Sequence, residues 1–204
     1  LERAWISREE AEALGLFKGR KRLGGDFAGG GNDTTSFVVR TKKVMWIEST
    51  NKLKDTMQQV PIVQDIAKKY KIEDYDIALD AGGLGQGACD RLIEKGVEIN
   101  AVMFGALPPE NKRDRYLNMR AFMYYKLQRW IRKGGRIVKD DRFLELLSVN
   151  FKSSSEKKFQ IQPKEDLKKV MKKLGIQATS PDNADAGALT FAGSEHIITE
   201  DDIS

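Results

Sequence analysis

The sequence predicts an α/β protein with a mixed central sheet and helices on both faces of that sheet. Short apolar runs typical of strands alternate along the chain with amphipathic segments typical of helices. The chain has 204 residues, of which 40% are hydrophobic and 32% charged, and this is enough for one buried core. No internal repeat or low-complexity linker interrupts the alternation, so one main domain is expected.

Strands are predicted where short apolar runs are bounded by glycine, proline or charged residues. The predicted strands are RLGGDFA at 22–28, TSFVVR at 35–40, KVMWIEST at 43–50, DIALDA at 76–81, VEINAVMFG at 97–105 and RIVKD at 136–140. A hairpin with a polar tip is predicted in VNFKSSSEKKFQIQP, residues 149–163.

Helices are predicted where apolar residues recur at spacings of three and four. The predicted helices cover residues 1–15, 53–70, 84–96, 113–135, 141–149, 164–175 and 180–193. Pro61 should kink or delay the second of these helices, and Gly96 should close the third. The longest helix carries an apolar stripe from Tyr116 to Trp130, which is typical of a helix packed on a core.

The net charge of +5 is concentrated in two segments. Residues 111–142 contain eleven Lys or Arg against three acidic residues, and residues 152–173 contain eight Lys against three acidic residues. Clustered positive charge favours a polyanionic partner, because phosphates that are neutralised release their counterions. Two solvated helix faces explain the same pattern equally well.

Cysteine and histidine are too scarce for several kinds of site. Cys89 is the single cysteine and His196 the single histidine, which excludes disulfides, cysteine-based zinc sites and a nucleophilic triad. No apolar run approaches the length of a membrane span, and the N-terminus does not have the pattern of a signal peptide. No membrane partner is therefore expected.

Two glycine-rich stretches, LGGDFAGGGND at 23–33 and DAGGLGQGACD at 80–90, raise the question of a phosphate-binding loop. Neither has the Gly-Lys-Ser/Thr order of a P-loop, and the glycine spacing does not fit a dinucleotide-binding turn. Each stretch instead contains an aspartate at the predicted end of a strand, Asp26 or Asp80. Glycines beside a carboxylate let a ligand approach closely, and carboxylates suit hard cations such as Mg²⁺ or Mn²⁺.

The last predicted helix adds an acidic pair. In SPDNADA, 180–186, Ser180 is the predicted N-cap and Pro181 the first helical residue, which places Asp182 and Asp185 on one face of the first turn. Compensation of the helix dipole explains Asp182 as well as a functional role does. Asp185 is followed by small apolar residues, so its carboxylate needs a cation or a hydrogen-bond donor.

These motifs together resemble the C-terminal nuclease domain of the large terminase subunit of tailed bacteriophages, which has a ribonuclease H-like fold. The resemblance spans residues 20–192 and is carried by LGGDFAGGGNDTT, ALDAGGLGQGACDRL, NMRAFMYYKLQRWIRKGGRI, KFQIQPKEDLKK and SPDNADAGALTFA. It implies a nuclease domain at 20–193 with a β-hairpin near the active site. It also implies a helical lead-in at 1–19 from a packaging ATPase domain, and an acidic, disordered tail at 194–204; the chain itself contains no Walker motif.

The resemblance further implies roles for individual residues. Asp26, Asp80 and Asp185 correspond to the catalytic aspartates that hold two Mg²⁺ or Mn²⁺ ions in this fold, and Asp182 corresponds to an accessory ligand. The candidates for DNA contact lie in the two basic segments. They are Lys112, Arg113, Arg120, Lys157, Lys158 and Lys164.

The function implied by the resemblance is a metal-dependent DNA endonuclease that cleaves concatemeric viral DNA during genome packaging by two-metal phosphodiester hydrolysis. Its partners would be double-stranded DNA and, in the full-length protein, the packaging ATPase domain, the portal and the small terminase subunit, in the host cytoplasm. Two alternatives stay open. One is another ribonuclease H-like nuclease such as a Holliday-junction resolvase, and the other is a non-catalytic DNA-binding or capsid-docking module.

Overall fold

A computed structural model describes residues 2–29, 33–176 and 180–192. Its main sheet consists of β1 (Trp5–Ile6), β2 (Arg22–Asp26), β3 (Thr35–Arg40), β4 (Val44–Asn51), β5 (Ile77–Asp80), β6 (Asn100–Val102) and β7 (Arg136–Val138). These seven strands lie in the order β1-β7-β4-β3-β2-β5-β6. A separate antiparallel hairpin consists of β8 (Phe151–Ser153) and β9 (Phe159–Ile161).

The sheet is mixed because β3 runs antiparallel to both of its neighbours, β2 and β4. The remaining pairs, β2 with β5, β5 with β6, β4 with β7 and β7 with β1, are all parallel. The carboxyl ends of six strands therefore lie along one edge of the sheet, and in α/β proteins this is the edge at which ligands bind.

Among the described residues, six α-helices accompany the sheet. They are α1 (Arg8–Ala13), α2 (Gln59–Tyr70), α3 (Gly85–Glu94), α4 (Met119–Arg132), α5 (Lys164–Lys173) and α6 (Asp182–Leu189). Successive strand residues point to opposite faces, and the two cores follow this alternation. Val38 packs with residues of α4 and α6 on one face, whereas Phe37 and Val39 pack with residues of α2 and α3 on the other. The predicted fold class is confirmed.

The N-terminal segment differs from its predicted form. Within the predicted helical lead-in at 1–19, the structure places strand β1 at the edge of the sheet and a helix of only 6 residues, α1. Ala4, Ile6 and Ala11 are buried in the two cores, so the segment packs as part of the domain that contains the sheet. A strand of two residues is too short to show the alternation from which strands are predicted.

Helix α2 begins at Gln59 and not at residue 53, so its start is delayed as Pro61 predicts, and Pro61 lies in its first turn, where proline is tolerated. One further element differs from its predicted form. Residues Asp141–Ser148 form a 3₁₀ helix rather than an α-helix. The predicted tail at 194–204 lies outside the described residues. In the part of the chain that the structure describes, no helix is long and apolar enough to cross a membrane.

Candidate active site

Asp26 and Asp80 lie side by side at the carboxyl ends of adjacent parallel strands. The register of β2 and β5 pairs Gly25 with Leu79, which brings the next residue of each strand together. The two carboxyl groups are close enough that the charge of Asp80 raises the pKa of Asp26. Asp80 also accepts a hydrogen bond of 2.9 Å from the backbone N–H of Gly82.

Helix α6 crosses the sheet at Gly24, two residues before Asp26. A Cβ atom at Gly24 would collide with the carbonyl oxygen of Ala186, so only glycine allows this approach. Every residue of α6 is buried, and half of its 8 residues are alanine or glycine. The close contact between α6 and β2 brings the two acidic residues of α6 to the strand ends that carry Asp26 and Asp80.

The amino end of α6 is capped by a side chain from another element. Pro181, and not Ser180 as predicted, is the N-cap residue, and Pro181 offers no side-chain hydrogen bond. Glu145, from the 3₁₀ helix, accepts instead from the backbone N–H of Asn183 at 2.9 Å and of Ala184 at 3.1 Å. Its second carboxyl oxygen accepts from the Asn183 side chain at 2.8 Å. A carboxylate in this position satisfies N–H groups that a helix start otherwise leaves without partners.

Asp185 is held by two residues of α4. Arg120 donates to both of its carboxyl oxygens, with distances between 2.9 and 3.1 Å, and the Tyr124 hydroxyl donates to one of them at 2.7 Å. The Asp185 side chain is 3% exposed and that of Arg120 is 14% exposed. The pair is therefore a buried, bidentate ion pair, which is a strong and geometrically specific contact.

Asp182 connects α6 to the chain that enters β3. Its carboxylate accepts a hydrogen bond of 2.7 Å from the backbone N–H of Thr34, and Ser180 donates a second one. Asp182 thus does more than compensate the helix dipole. It also holds Thr34, the residue that follows the glycine-rich stretch at 23–33, against the helix.

The electrostatics of the site are those of crowded, buried negative charge. Burial raises the pKa of Asp26 well above its ordinary value, and the charges of Asp185, Asp182 and Asp80 raise it further, whereas Lys164 lowers it. Burial also raises the pKa of Asp182, to about 6. Carboxylates that are this close disfavour one another's ionisation unless a cation is present.

The six candidates for DNA contact do not share one environment. Lys112, Arg113 and Lys157 are wholly or partly exposed to solvent. Lys158 pairs with Glu156 at 2.8 Å, and Arg120 is turned inward onto Asp185. Lys164, at the start of α5, donates to Ser180 at 3.2 Å and is near enough to Asp26 and Asp80 to lower the pKa of both.

The donor chemistry of the cluster fits a hard divalent cation. Its ligands are carboxylate oxygens, and their mutual repulsion would be relieved by a positive ion between them. Within the described residues, however, no three acidic, histidine or cysteine side chains are arranged around one ion position. Asp26 and Asp80 form a pair, while both oxygens of Asp185 are occupied by Arg120. A metal ion that binds Asp185 would therefore have to displace Arg120 from at least one of its carboxyl oxygens.

Two residues of the site carried no recognisable signal in the sequence. Glu145 lies in the amphipathic stretch DRFLELLS, where its neighbours give no hint of a partner 38 residues away. Tyr124 belongs to the apolar face of α4, on which a buried tyrosine is ordinarily a core residue. Only its hydroxyl distinguishes it from an ordinary core residue, because a buried phenol needs a hydrogen-bond partner.

Comparison with known proteins gives structural matches only. No protein-family model matches this chain, and no curated sequence matches it either. The nuclease domain of the large terminase subunit gp2 of bacterial virus Sf6, as a mutant with manganese and beta-thujaplicinol, is 21% identical, with a TM-score of 0.69 over 93% of this chain and 94% of that chain.

Two structures of the large terminase nuclease from thermophilic phage G20c also match. The first is 16% identical, with a TM-score of 0.56 over 86% of this chain and 83% of that chain. The second, with bound magnesium, is 14% identical, with a TM-score of 0.53 over 85% of this chain and 80% of that chain. At these identities the likeness shows the fold: the chain has the ribonuclease H-like fold of large terminase nuclease domains.

Proposed function

We propose that this chain is the nuclease domain of a viral large terminase subunit and cleaves concatemeric DNA during genome packaging. The observation that carries the proposal is the pair Asp26 and Asp80 at the edge where the parallel strands end, with Asp185 near enough to raise the pKa of both. The likeness to terminase nuclease domains that bind manganese or magnesium supports it. In the full-length protein the partners would be a packaging ATPase domain, the portal and the small terminase subunit, in the host cytoplasm.

We infer that Asp26, Asp80 and Asp185 would hold Mg²⁺ or Mn²⁺, with Asp182 beside them. Two such ions, when bound, supply an activated water and stabilise the negative charge that develops on the leaving oxygen. The chain's own contribution is to bury the carboxylates and fix their directions through Gly82, Thr34 and α6. Ligation by Asp185 requires that its bidentate pair with Arg120 opens at least in part, and Tyr124 remains as a hydrogen-bond donor to the same carboxylate.

The exposed basic residues would bind the DNA backbone. Lys157 at the hairpin tip and Lys112 and Arg113 before α4 can each neutralise a phosphate. Lys164 is closer to the carboxylates and would contact the scissile phosphate. Phosphate contacts of this kind position a duplex without reading its sequence.

Cleavage of supercoiled plasmid in Mn²⁺ tests the proposal. The purified chain should relax and linearise the plasmid, and excess EDTA should abolish both products. Asp26→Asn and Asp80→Asn should each reduce cleavage to background while the melting temperature holds or rises, because each change removes one of several crowded negative charges. Asp90→Asn, an exposed acidic residue on α3, is the matched control and should cleave like the wild type.

Three results would refute the assignment. Cleavage that persists in EDTA would exclude a metal-dependent reaction. Near-wild-type cleavage by Asp26→Asn or Asp80→Asn at saturating Mn²⁺ would remove that residue from the ligands. An intact chain that binds duplex DNA but never cuts it would favour the non-catalytic DNA-binding alternative.

A further inference from the structure

An arginine lies among three aromatic rings on the side of α4 next to the hairpin. The Arg115 guanidinium is 4.8 Å from the ring centroid of Tyr125, 5.6 Å from that of Tyr116 and 5.7 Å from that of Phe159. Arg129, one helical turn after Tyr125, is 5.9 Å from the Tyr125 ring. We call Arg115, Tyr125, Arg129 and Phe159 the arginine–aromatic patch; Tyr116, which is buried, lies beneath it.

The ring of Phe159 is partly exposed to solvent. Its relative exposure is 44%, although burying a phenylalanine side chain contributes about 1.5–3 kcal/mol. The backbone around it is fixed, because Phe159 donates to the Arg115 carbonyl at 2.8 Å and accepts from the Leu117 N–H at 2.9 Å. The ring is therefore held open to solvent by an ordered strand and not by a loose loop.

The patch is positively charged. Neither Arg115 nor Arg129 forms an ion pair with any residue that the structure describes, in contrast to Arg120 on the same helix. Burial raises the pKa of Tyr125, but the hydrogen bond from Tyr116 and the charges of both arginines outweigh it, so the pKa lies below its ordinary value. The exposed Phe159 ring thus has one guanidinium group beside it, that of Arg115, and a second, that of Arg129, beyond the Tyr125 ring. The chemistry that complements this arrangement is a flat, apolar face attached to an anion.

We propose that the arginine–aromatic patch binds single-stranded DNA, with a nucleobase stacked on Phe159 and the adjoining phosphates at Arg115 and Arg129. Base stacking on aromatic side chains combined with backbone contacts to cations is the way in which single strands are bound without sequence preference. A duplex does not suit the patch, because its bases cover one another's faces. This inference rests on the proposed function for its choice of DNA, and it adds a single-strand binding surface to the domain.

The arginine–aromatic patch and the active site lie on different sides of α4. Arg120 and Tyr124 contact Asp185, whereas Tyr125 and Arg129 each lie five residues further on, about 140° around the helix, and face the patch. The patch is therefore a surface separate from the carboxylates that shares a helix with them. A protein partner is the competing occupant, because tyrosine and arginine are also enriched in protein interfaces.

The test is the affinity for a labelled oligothymidylate of about 12 nucleotides, measured by fluorescence anisotropy in EDTA so that no strand is cut. Phe159→Ala should weaken binding by about tenfold, because stacking of one base on one ring contributes that much. Phe159→Trp should restore or exceed wild-type affinity. A duplex of the same length should lose much less affinity than the single strand on the Phe159→Ala change.

The matched control is Tyr75→Ala. Tyr75 is 43% exposed and has the guanidinium of Arg20 at 5.2 Å from its ring, but there the arginine is paired with Asp76. Binding of the oligothymidylate should not change in this variant. A strand with 2-aminopurine near its middle should change its fluorescence on binding to the wild type and not on binding to Phe159→Ala.

Wild-type affinity of Phe159→Ala for the single strand would overturn the inference and favour a protein partner. Two further results would overturn it: a loss of affinity in Phe159→Trp equal to that in Phe159→Ala, or a loss in Phe159→Ala that is as large for an abasic strand as for the oligothymidylate. In either case the ring would not stack on a base and would affect binding only by shaping the hairpin. Failure of this inference is distinct from failure of the proposed function. The former leaves plasmid cleavage in Mn²⁺ intact, whereas the latter removes cleavage and leaves the Phe159-dependent binding unchanged.

Discussion

Replacing Glu145 separates the role of the carboxyl group as a helix cap from the effect of its charge. Glu145→Ala leaves three donors without a partner: two backbone N–H groups of α6 and the Asn183 amide. At roughly 1 kcal/mol for each buried donor, the change should cost about 3 kcal/mol of unfolding free energy. For a chain of this size the melting temperature should fall by about 6–12 °C.

Glu145→Gln keeps the shape of the side chain and removes its charge. Its amide oxygen can still accept from the two backbone N–H groups. Its amide nitrogen, however, would face the Asn183 side-chain nitrogen, and both groups are donors. The Asn183 amide can turn over, because its other partner, the Ser36 hydroxyl at 2.9 Å, is able to accept as well as donate. The cost at acidic pH should be about 1 kcal/mol.

The pH dependence of stability should differ between the wild type and Glu145→Gln. Burial raises the pKa of Glu145 from 4.5 to about 8, although its N–H donors oppose this. A raised pKa in the folded protein means that folding favours the neutral acid. The contribution of Glu145 to the free energy of unfolding is therefore fully present below about pH 4.5 and is lost as the pH rises through about 8. The loss should be on the order of 4–5 kcal/mol in the wild type and absent in the glutamine variant.

Urea denaturation from about pH 5 to about pH 9 measures this difference. The other ionisable groups that face Glu145, namely Asp182, Tyr124 and Arg142, are present in both proteins, so the difference between the two curves reports the charge of Glu145 together with its coupling to these groups. Glu145→Gln should be slightly less stable than the wild type at the acidic end and more stable at the alkaline end. Parallel curves would refute the reasoning, because Glu145 would then be ionised in the fold and its N–H donors would outweigh its burial.

Three more outcomes are expected. Asp182→Asn should reduce plasmid cleavage markedly without lowering the melting temperature if Asp182 assists the metal ligands, whereas a lower melting temperature with nearly full cleavage would make it only a link to Thr34. Lys157→Glu should weaken duplex binding and flatten its salt dependence more than Lys158→Glu does, because Lys158 is already paired; equal effects would contradict this. Cys89 is buried and its thiol pKa is raised to about 12, so iodoacetamide should label it only after unfolding, which mass spectrometry would detect.

Local sequence patterns predicted the elements and most of the acidic cluster. Asp26 and Asp80 could be found because each ends an apolar run and is followed by glycines, and Asp185 because small apolar residues follow it. The structural reason for Gly24, two residues before Asp26, is the close approach of α6, whereas the sequence alone indicates only that some backbone or ligand comes close there. Contacts made by residues close in sequence were therefore predictable.

Contacts between distant residues were not predictable in the same way. Glu145 caps a helix that begins after an intervening hairpin and α5, and the sequence around α6 suggested a local cap, Ser180, in its place. The pairing of β1 with β7 joins residues that are 132 positions apart in the chain, and β1 is too short to show a strand pattern in the sequence. In both cases the tertiary partner, and not local propensity, decides the structure.

The basic segments show the same limit for function. Counting charges along the sequence treats Arg120 as one more phosphate contact, yet its partner is Asp185, 65 residues away, and its charge is already compensated inside the site. Lys158 is likewise compensated by Glu156. Of the six candidates, four remain able to neutralise phosphate, and at about −0.9 per phosphate they would give a log–log salt slope for duplex binding of about −3 to −4. Under the proposed function, the affinity for duplex DNA would thus be set by fewer residues than the composition suggests, and the buried arginine would act on the carboxylate that a metal ion has to share.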